Sequence, residues 1–223
     1  LPEDKVFVHT TFLGGGFGRR SETDFTQLAV EASMATGKPV KLIWTREETF
    51  ARGFYRPMAL CRMKASLEGD ALQGLEIHMS GQNIVERFLP GPLARLKAGT
   101  IVVHEGMSHT PYAIPNHRTE YGRVEVPIPV GWWRSVHGSY NGFFRECFLD
   151  EIAHALKKDP IALRRELLAD NPRYLATFEL AVEKAGPVPE GQHRGVALFE
   201  SFGAICAQVA DVSVTDGVLK VHR

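Results

Sequence analysis

Residues 13–20 read LGGGFGRR, four glycines and a phenylalanine ahead of two arginines. Backbone amides without side chains can approach an anion or a bulky group that a Cβ would hold away. Two phosphate-binding patterns fail here. In G-x-G-x-x-G counted from Gly14 and Gly16, Arg19 stands where the third glycine belongs, and no Gly-Lys-Ser/Thr follows. By itself the run reads equally as a tight strand-to-helix turn. A second unusual stretch, GWWRSVHGSYNGFF at 131–144, sets Trp132, Trp133 and Arg134 among glycines. Two indoles and a guanidinium could pack a domain junction. They could also wall a pocket for a flat, anionic ligand, with rings stacking and Arg forking onto phosphate or ring acceptors.

Other candidates are weaker. HEGMSH at 104–109 misses the zinc-protease pattern, because Ser108 stands where the second histidine belongs. Ser139 beside His137 lacks the G-x-S-x-G elbow of a nucleophilic serine. Glu146, Asp150 and Glu151 read as solvated helix positions with lysine partners. The three cysteines, Cys61, Cys147 and Cys206, are odd in number and far apart. Each sits in an apolar setting and is expected as a buried free thiol, with no metal or iron–sulfur site in this chain.

These residues need elements to hold them. VFVHTTF at 6–12 and VKLIW at 40–44 read as strands. Between them a helix starts at Ser21, Thr23 or Asp24 and closes at Gly37. Residues 45–57 read as irregular. Residues 58–82 read as a hairpin turning at Glu68-Gly69-Asp70, 83–118 as a long connection with one short helix, and 119–129 as a strand. A helix over 142–157 is expected with Asn141 as N-cap. A second starts at Asp159-Pro160, and a third covers 173–185. Residues 188–195 read as a loop. Two closing strands turn at Thr215-Asp216-Gly217. The class is α+β, with mixed or antiparallel sheets and packed helices.

The 223 residues suffice for a real core; 44% are hydrophobic and 23% charged, with zero net charge. That balance gives no reason to expect nucleic acid or an anionic membrane as partner. No apolar run has the length of a membrane span.

LGGGFGRR, GKPVKLIWTREE and GWWRSVHGSYNGFFRECFLDEIAHALKKDPIALRRELL, in that order, resemble the large molybdopterin-binding subunit of the molybdenum hydroxylases. ESFGAICAQVADVSV resembles the same family, whose members include xanthine dehydrogenase, aldehyde oxidase and, most similar, the isoquinoline 1-oxidoreductase beta subunit. The resemblance implies a molybdopterin cofactor, in the cytosine dinucleotide form common to bacterial members, and oxidation of an N-heteroaromatic or aldehyde with oxygen from water. It implies a small [2Fe-2S] subunit as electron partner. It places Gly15, Gly16, Phe17 and Gly18 beside the metal's ligands and the pterin, and matches Arg134 to the arginine of a second cofactor loop. Arg19-Arg20 stands where the family usually has Gly-Lys, and Ser135-Val136-His137-Gly138 departs from the usual R-G-F/Y-G.

The family's general-base glutamate sits in a Gly-Glu-x-Gly context that is absent here, and Glu200 in FESFG does not match it. No catalytic residue is assigned. With both ends opening directly into strand-like runs, residues 1–223 read as a middle piece of a longer subunit, with a sub-boundary near 187–195, inactive alone. A non-catalytic binding or assembly domain that keeps the fold is the competing reading. The substrate and the compartment are not legible.

Overall fold

The computed structural model describes residues 2–85 and 102–223. The chain parts into two compact units, one of residues 1–56 with 128–134, the other of residues 57–127 with 135–223. The stretch at 187–195 lies inside the second unit.

The second unit is built on two small sheets. β1 (Ala59–Glu68) and β2 (Ala71–Gly81) form the expected antiparallel hairpin, closed by the two-residue turn Gly69-Asp70. β3 (Asn116–Arg123) joins β2 in parallel, pairing Gly74 with Asn116 through Gly81 with Arg123. The sheet is therefore mixed. β4 (His193–Ser201), β5 (Ala204–Thr215) and β6 (Val218–Val221) form an antiparallel meander. Its second turn uses Asp216 and Gly217, both at positive φ, as an Asp-Gly turn requires.

The unit also holds α3 (Gly138–Ala155), α4 (Pro160–Leu167) and α5 (Pro172–Ala185). The Asp159 carboxylate caps α4 by accepting from the Ala162 N–H at 2.8 Å, with Pro160 in the first turn. At the end of α5, the Arg194 guanidinium of β4 donates to the Gly186 carbonyl at 2.5 Å and pairs with Asp211 of β5 at 2.8 Å. One core cluster gathers Leu149, Ile152 and Ala153 of α3, Leu163 and Leu167 of α4, Phe178 of α5, and Val196 and Leu198 of β4. Burying a side chain such as Phe178 contributes about 1.5–3 kcal/mol. A second cluster uses the period of two along β2, Leu75, Ile77 and Met79, with Met107.

The first unit holds α1 (Asp24–Thr36), which ends at Gly37 as expected, and α2 (Arg46–Arg52). Residues 128–134 return to it: Tyr55 donates to the Pro129 carbonyl at 2.9 Å, and Gly131 donates to the Tyr55 carbonyl at 3.1 Å.

Several expectations change. Residues 6–12 and 40–44 are not strands. Their β-forming residues find no sheet partner among the described residues, and Phe7, Val8, Phe12 and Ile43 stay exposed. A strand exists only when another pairs with it. Residues 46–52, read as irregular, are helical because the Thr45 hydroxyl accepts from the Glu48 N–H. The strand expected at 119–129 runs instead over 116–123. α3 begins at Gly138, so Asn141 is not its cap. It lies buried within the helix and donates to the carbonyls of Val103 and Glu105 at 2.8 and 3.0 Å. β4 starts at His193, within the stretch read as a loop, and three closing strands stand where two were expected. The short helix expected within 83–118 falls partly outside the described residues.

Candidate functional site

The glycine run leads into a single turn of 3-10 helix, Arg19–Ser21, ahead of α1. Gly15 and Gly18 have φ of 134° and 90°, and Phe17, at 50°, is left-handed too. Such a conformation costs a non-glycine residue about 1–3 kcal/mol. Gly18 is the tightest point. A Cβ there would lie 2.6 Å from the Trp132 carbonyl carbon and oxygen and 2.9 Å from the Trp133 nitrogen. The two stretches singled out in the sequence thus meet backbone to backbone, within one unit. Gly131 is equally confined: its Cβ would meet the buried Glu22 carboxylate at 2.6 Å and Phe54 at 2.8 Å.

The outer side of the run is bare. A Cβ on Gly14 would meet nothing within 4 Å, and Phe17 is 64% exposed. Trp133 is exposed and carries the Arg56 guanidinium 5.8 Å from its ring centroid. Arg56 also donates to the Arg134 carbonyl at 2.9 Å, fixing the backbone of that residue while its side chain stays exposed. Just past it, Ser135 and Val136 hold φ of 61° and 44°. For β-branched Val136 this is a strained backbone. An open backbone cradle with positive φ, flanked by exposed Trp and Arg, fits a bulky cofactor approached through amide groups.

Arg19, which the sequence did not mark as a site residue, organises the loop. Its guanidinium forks onto Asp24 at 2.8 and 2.7 Å and lies 5.4, 5.8 and 5.6 Å from the ring centroids of Phe25, Trp44 and Phe54. Partial burial raises the Asp24 carboxyl, but the Arg19 hydrogen bonds and charge outweigh it and hold the group below its ordinary value. An arginine and an aspartate bracketing a helix start were the available signal.

Of the three α3 carboxylates, Glu151 is exposed as expected and Asp150 is partly exposed, but the third differs. Glu146 is not solvated. It is buried, accepting from Arg145 at 3.0 Å, Arg164 at 3.1 Å, the Tyr112 hydroxyl at 3.0 Å and the Leu198 N–H at 3.1 Å. Arg164 is fully buried and reaches Asp150 at 2.6 Å. The partners are arginines, and the cluster ties α3 to α4 and β4. Burial, together with the Glu146 charge, pushes the Tyr112 phenol far up, so it stays a proton donor. Ser139 donates to the Val136 carbonyl at 3.1 Å, as a turn residue does. His137 is buried with its ring edge-on to Tyr140. The cysteines are free, but only Cys61 is half-buried. Burial pushes its thiol up to about 11, whereas Cys147 and Cys206 are exposed, against expectation. Their side chains lie on outward positions of α3 and β5, which apolar sequence neighbours do not reveal. Among the described residues, no three metal-ligating side chains converge, and no helix is long and apolar enough to cross a membrane.

The family described as the molybdopterin cofactor-binding domain matches residues 1–168. The chain belongs to the molybdenum hydroxylases. The chain is 32% identical over 190 residues to the membrane-bound aldehyde dehydrogenase [pyrroloquinoline-quinone] of Gluconacetobacter polyoxogenes, covering 78% of this chain and 23% of that protein. It is 29% identical to the isoquinoline 1-oxidoreductase subunit beta of Brevundimonas diminuta, covering 100% of this chain and 30% of that subunit. Quinoline 2-oxidoreductase from Pseudomonas putida 86 has the same fold, with a TM-score of 0.62 at 24% identity over 84% of this chain and 27% of that one. So has the aldehyde oxidoreductase of Desulfovibrio desulfuricans, with a TM-score of 0.61 at 17% identity over 93% and 25%. The α+β expectation and the resemblance both hold. The chain spans under a third of the length of each of these relatives.

Proposed function

We propose that this chain is the cofactor-cradling part of a molybdenum hydroxylase large subunit that oxidises an N-heteroaromatic or aldehyde substrate. The observation that carries the reading is the fit of Gly18 under the Trp132 carbonyl, which joins the glycine run to the stretch bearing Arg134. When bound, the molybdopterin cofactor, in its cytosine dinucleotide form, supplies the two-electron oxidation with oxygen drawn from water. Gly15, Gly16 and Gly18 let the chain approach the cofactor through backbone amides, which orient it without a side chain between. Phe17, held exposed by its left-handed backbone, excludes water at the mouth of the cradle. Arg134 presents a fork for an anionic or ring-acceptor group of the cofactor. The general base that takes the proton in this chemistry lies outside these residues, and electrons leave through a small [2Fe-2S] subunit. Residues 1–223 alone do not turn over substrate.

The test is molybdenum and pterin content of the whole subunit made in a cofactor-producing host. Gly18→Trp drives an indole into the Trp132 backbone, and Arg134→Ala removes the fork. Each should lower occupancy several-fold with the subunit still folded. Normal content in both would sink the assignment.

A further inference from the structure

Within the first unit, an open cleft of about 550 Å³ lies beside the glycine run. Gly15, Gly16, Arg19, Arg20, Phe25 and Trp44 line it. The two guanidiniums share one ring: Arg19 and Arg20 lie 5.4 and 5.3 Å from the Phe25 centroid. Two cations so close repel each other unless each is compensated. Arg19 is compensated, because Asp24 takes both of its terminal nitrogens. Arg20 is exposed and makes no ion pair with a carboxylate among the described residues. The cleft therefore holds one spent and one unspent positive charge, beside aromatic rings and glycine backbone.

We propose that this cleft binds a phosphate or pyrophosphate group carried by a flat ring compound, and that Arg20 is the side chain that recognises it. Arg19 is then a positioning residue, which fixes the walls through Asp24 and the rings. A free guanidinium fork matches phosphate oxygens in pairs. The rings of Phe25 and Trp44 offer flat apolar surface beside it. The phosphate has two sources of the same chemistry, the phosphate tail of a resident cofactor or a free nucleotide-like ligand. Only the first source rests on the cofactor reading above.

The probe is inorganic pyrophosphate, titrated by calorimetry into the purified cofactor-free protein. Phenylglyoxal labelling and peptide mapping run in parallel. Pyrophosphate should shield Arg20 from phenylglyoxal, and Arg19 should be slow to react with or without it. Arg20→Gln should weaken pyrophosphate about tenfold, the loss of one charge-assisted contact, and Arg20→Lys should recover part of it. Unchanged affinity in Arg20→Gln, or no shielding of Arg20, overturns the proposal. Repeating the titration on cofactor-loaded subunit separates the sources. Abolished binding identifies the cofactor's own phosphate as the occupant, and undiminished binding identifies a free ligand. Unaltered molybdenum content in the Gly18 and Arg134 variants would remove the cofactor reading and leave the pyrophosphate result standing.

Discussion

The two units spend their residues differently. The second buries apolar side chains in two clusters and closes the first of them with the Glu146, Arg145 and Arg164 network. In the first unit, neither helix has a buried residue, while Phe7, Phe12, Met34 and Ile43 stand 74% exposed or more. Its ordered features are the close approach of Gly18 to the Trp132 backbone and of Gly131 to the Glu22 and Phe54 side chains, and a guanidinium held among rings. The second unit is organised as a scaffold that stabilises itself. The first is organised as a surface that shapes what it meets.

The comparison is broken most severely from the scaffold side. Arg164→Met removes the fully buried partner of Glu146 and Asp150, leaving buried carboxylate charge undercompensated. It should cost about 3–5 kcal/mol, a fall of about 6–20 °C in unfolding temperature for a chain of this size. Calorimetry checks this, and a fall no larger than a surface substitution gives would mean that the network is not what holds the second unit. Gly18→Ala is the smaller test, on the other unit. Its Cβ must displace the Trp132 backbone, at about 1–3 kcal/mol. Limited proteolysis should find residues 1–56 cut faster, with the thermal transition of the second unit unmoved. If both move together, the division of labour is wrong.

The smallest effect is on pH. The Asp24 carboxyl ionises below its unfolded value, so its pairing with Arg19 is fully present above that value and fades as pH falls through the depressed one. Both partners are about a third exposed, so the effect is modest. Trp44 lies beside Arg19 and reports it. Its fluorescence should step as pH falls below the ordinary aspartate value of 3.8, and Asp24→Asn should abolish the step. The same profile in the variant would detach the Arg19 lock from Asp24.

What was legible in the sequence was local. Asp159-Pro160 announced α4, Asp216-Gly217 a hairpin, and the glycine run a special turn, because cap and turn chemistry lies within a few residues. The Thr45-x-x-Glu48 cap of α2 is equally local, but within a polar run read as irregular it was missed. β3 was misplaced because its partner β2 is remote in sequence and its parallel pairing leaves no turn to read. Glu146 was misread because a charged residue on a helix gives no hint that Arg164, Tyr112 and β4 converge on it. α3 starts early for a similar reason. Gly138 and Gly142, which argue against a helix, are there because the Phe199 ring of β4 fills the space of their missing side chains. At the candidate site, the composition of each loop was visible, but the contact of Gly18 with Trp132 is purely tertiary.

That contact also sets a schedule. The first unit is discontinuous: its strap of residues 128–134 is made only after β1, β2 and β3 have been synthesised. At a ribosomal pace of about 5–20 residues per second, Gly18 emerges on the order of ten seconds before Trp132 exists to cover it. During that interval the glycine run is an uncovered, protease-accessible length of backbone beside exposed Phe12 and Phe17. The hairpin and α1, by contrast, close on their own neighbours at once. The cradle therefore closes later than the helix and hairpin made between its two parts, and nascent-chain arrest before and after residue 134 would trap its open and closed forms.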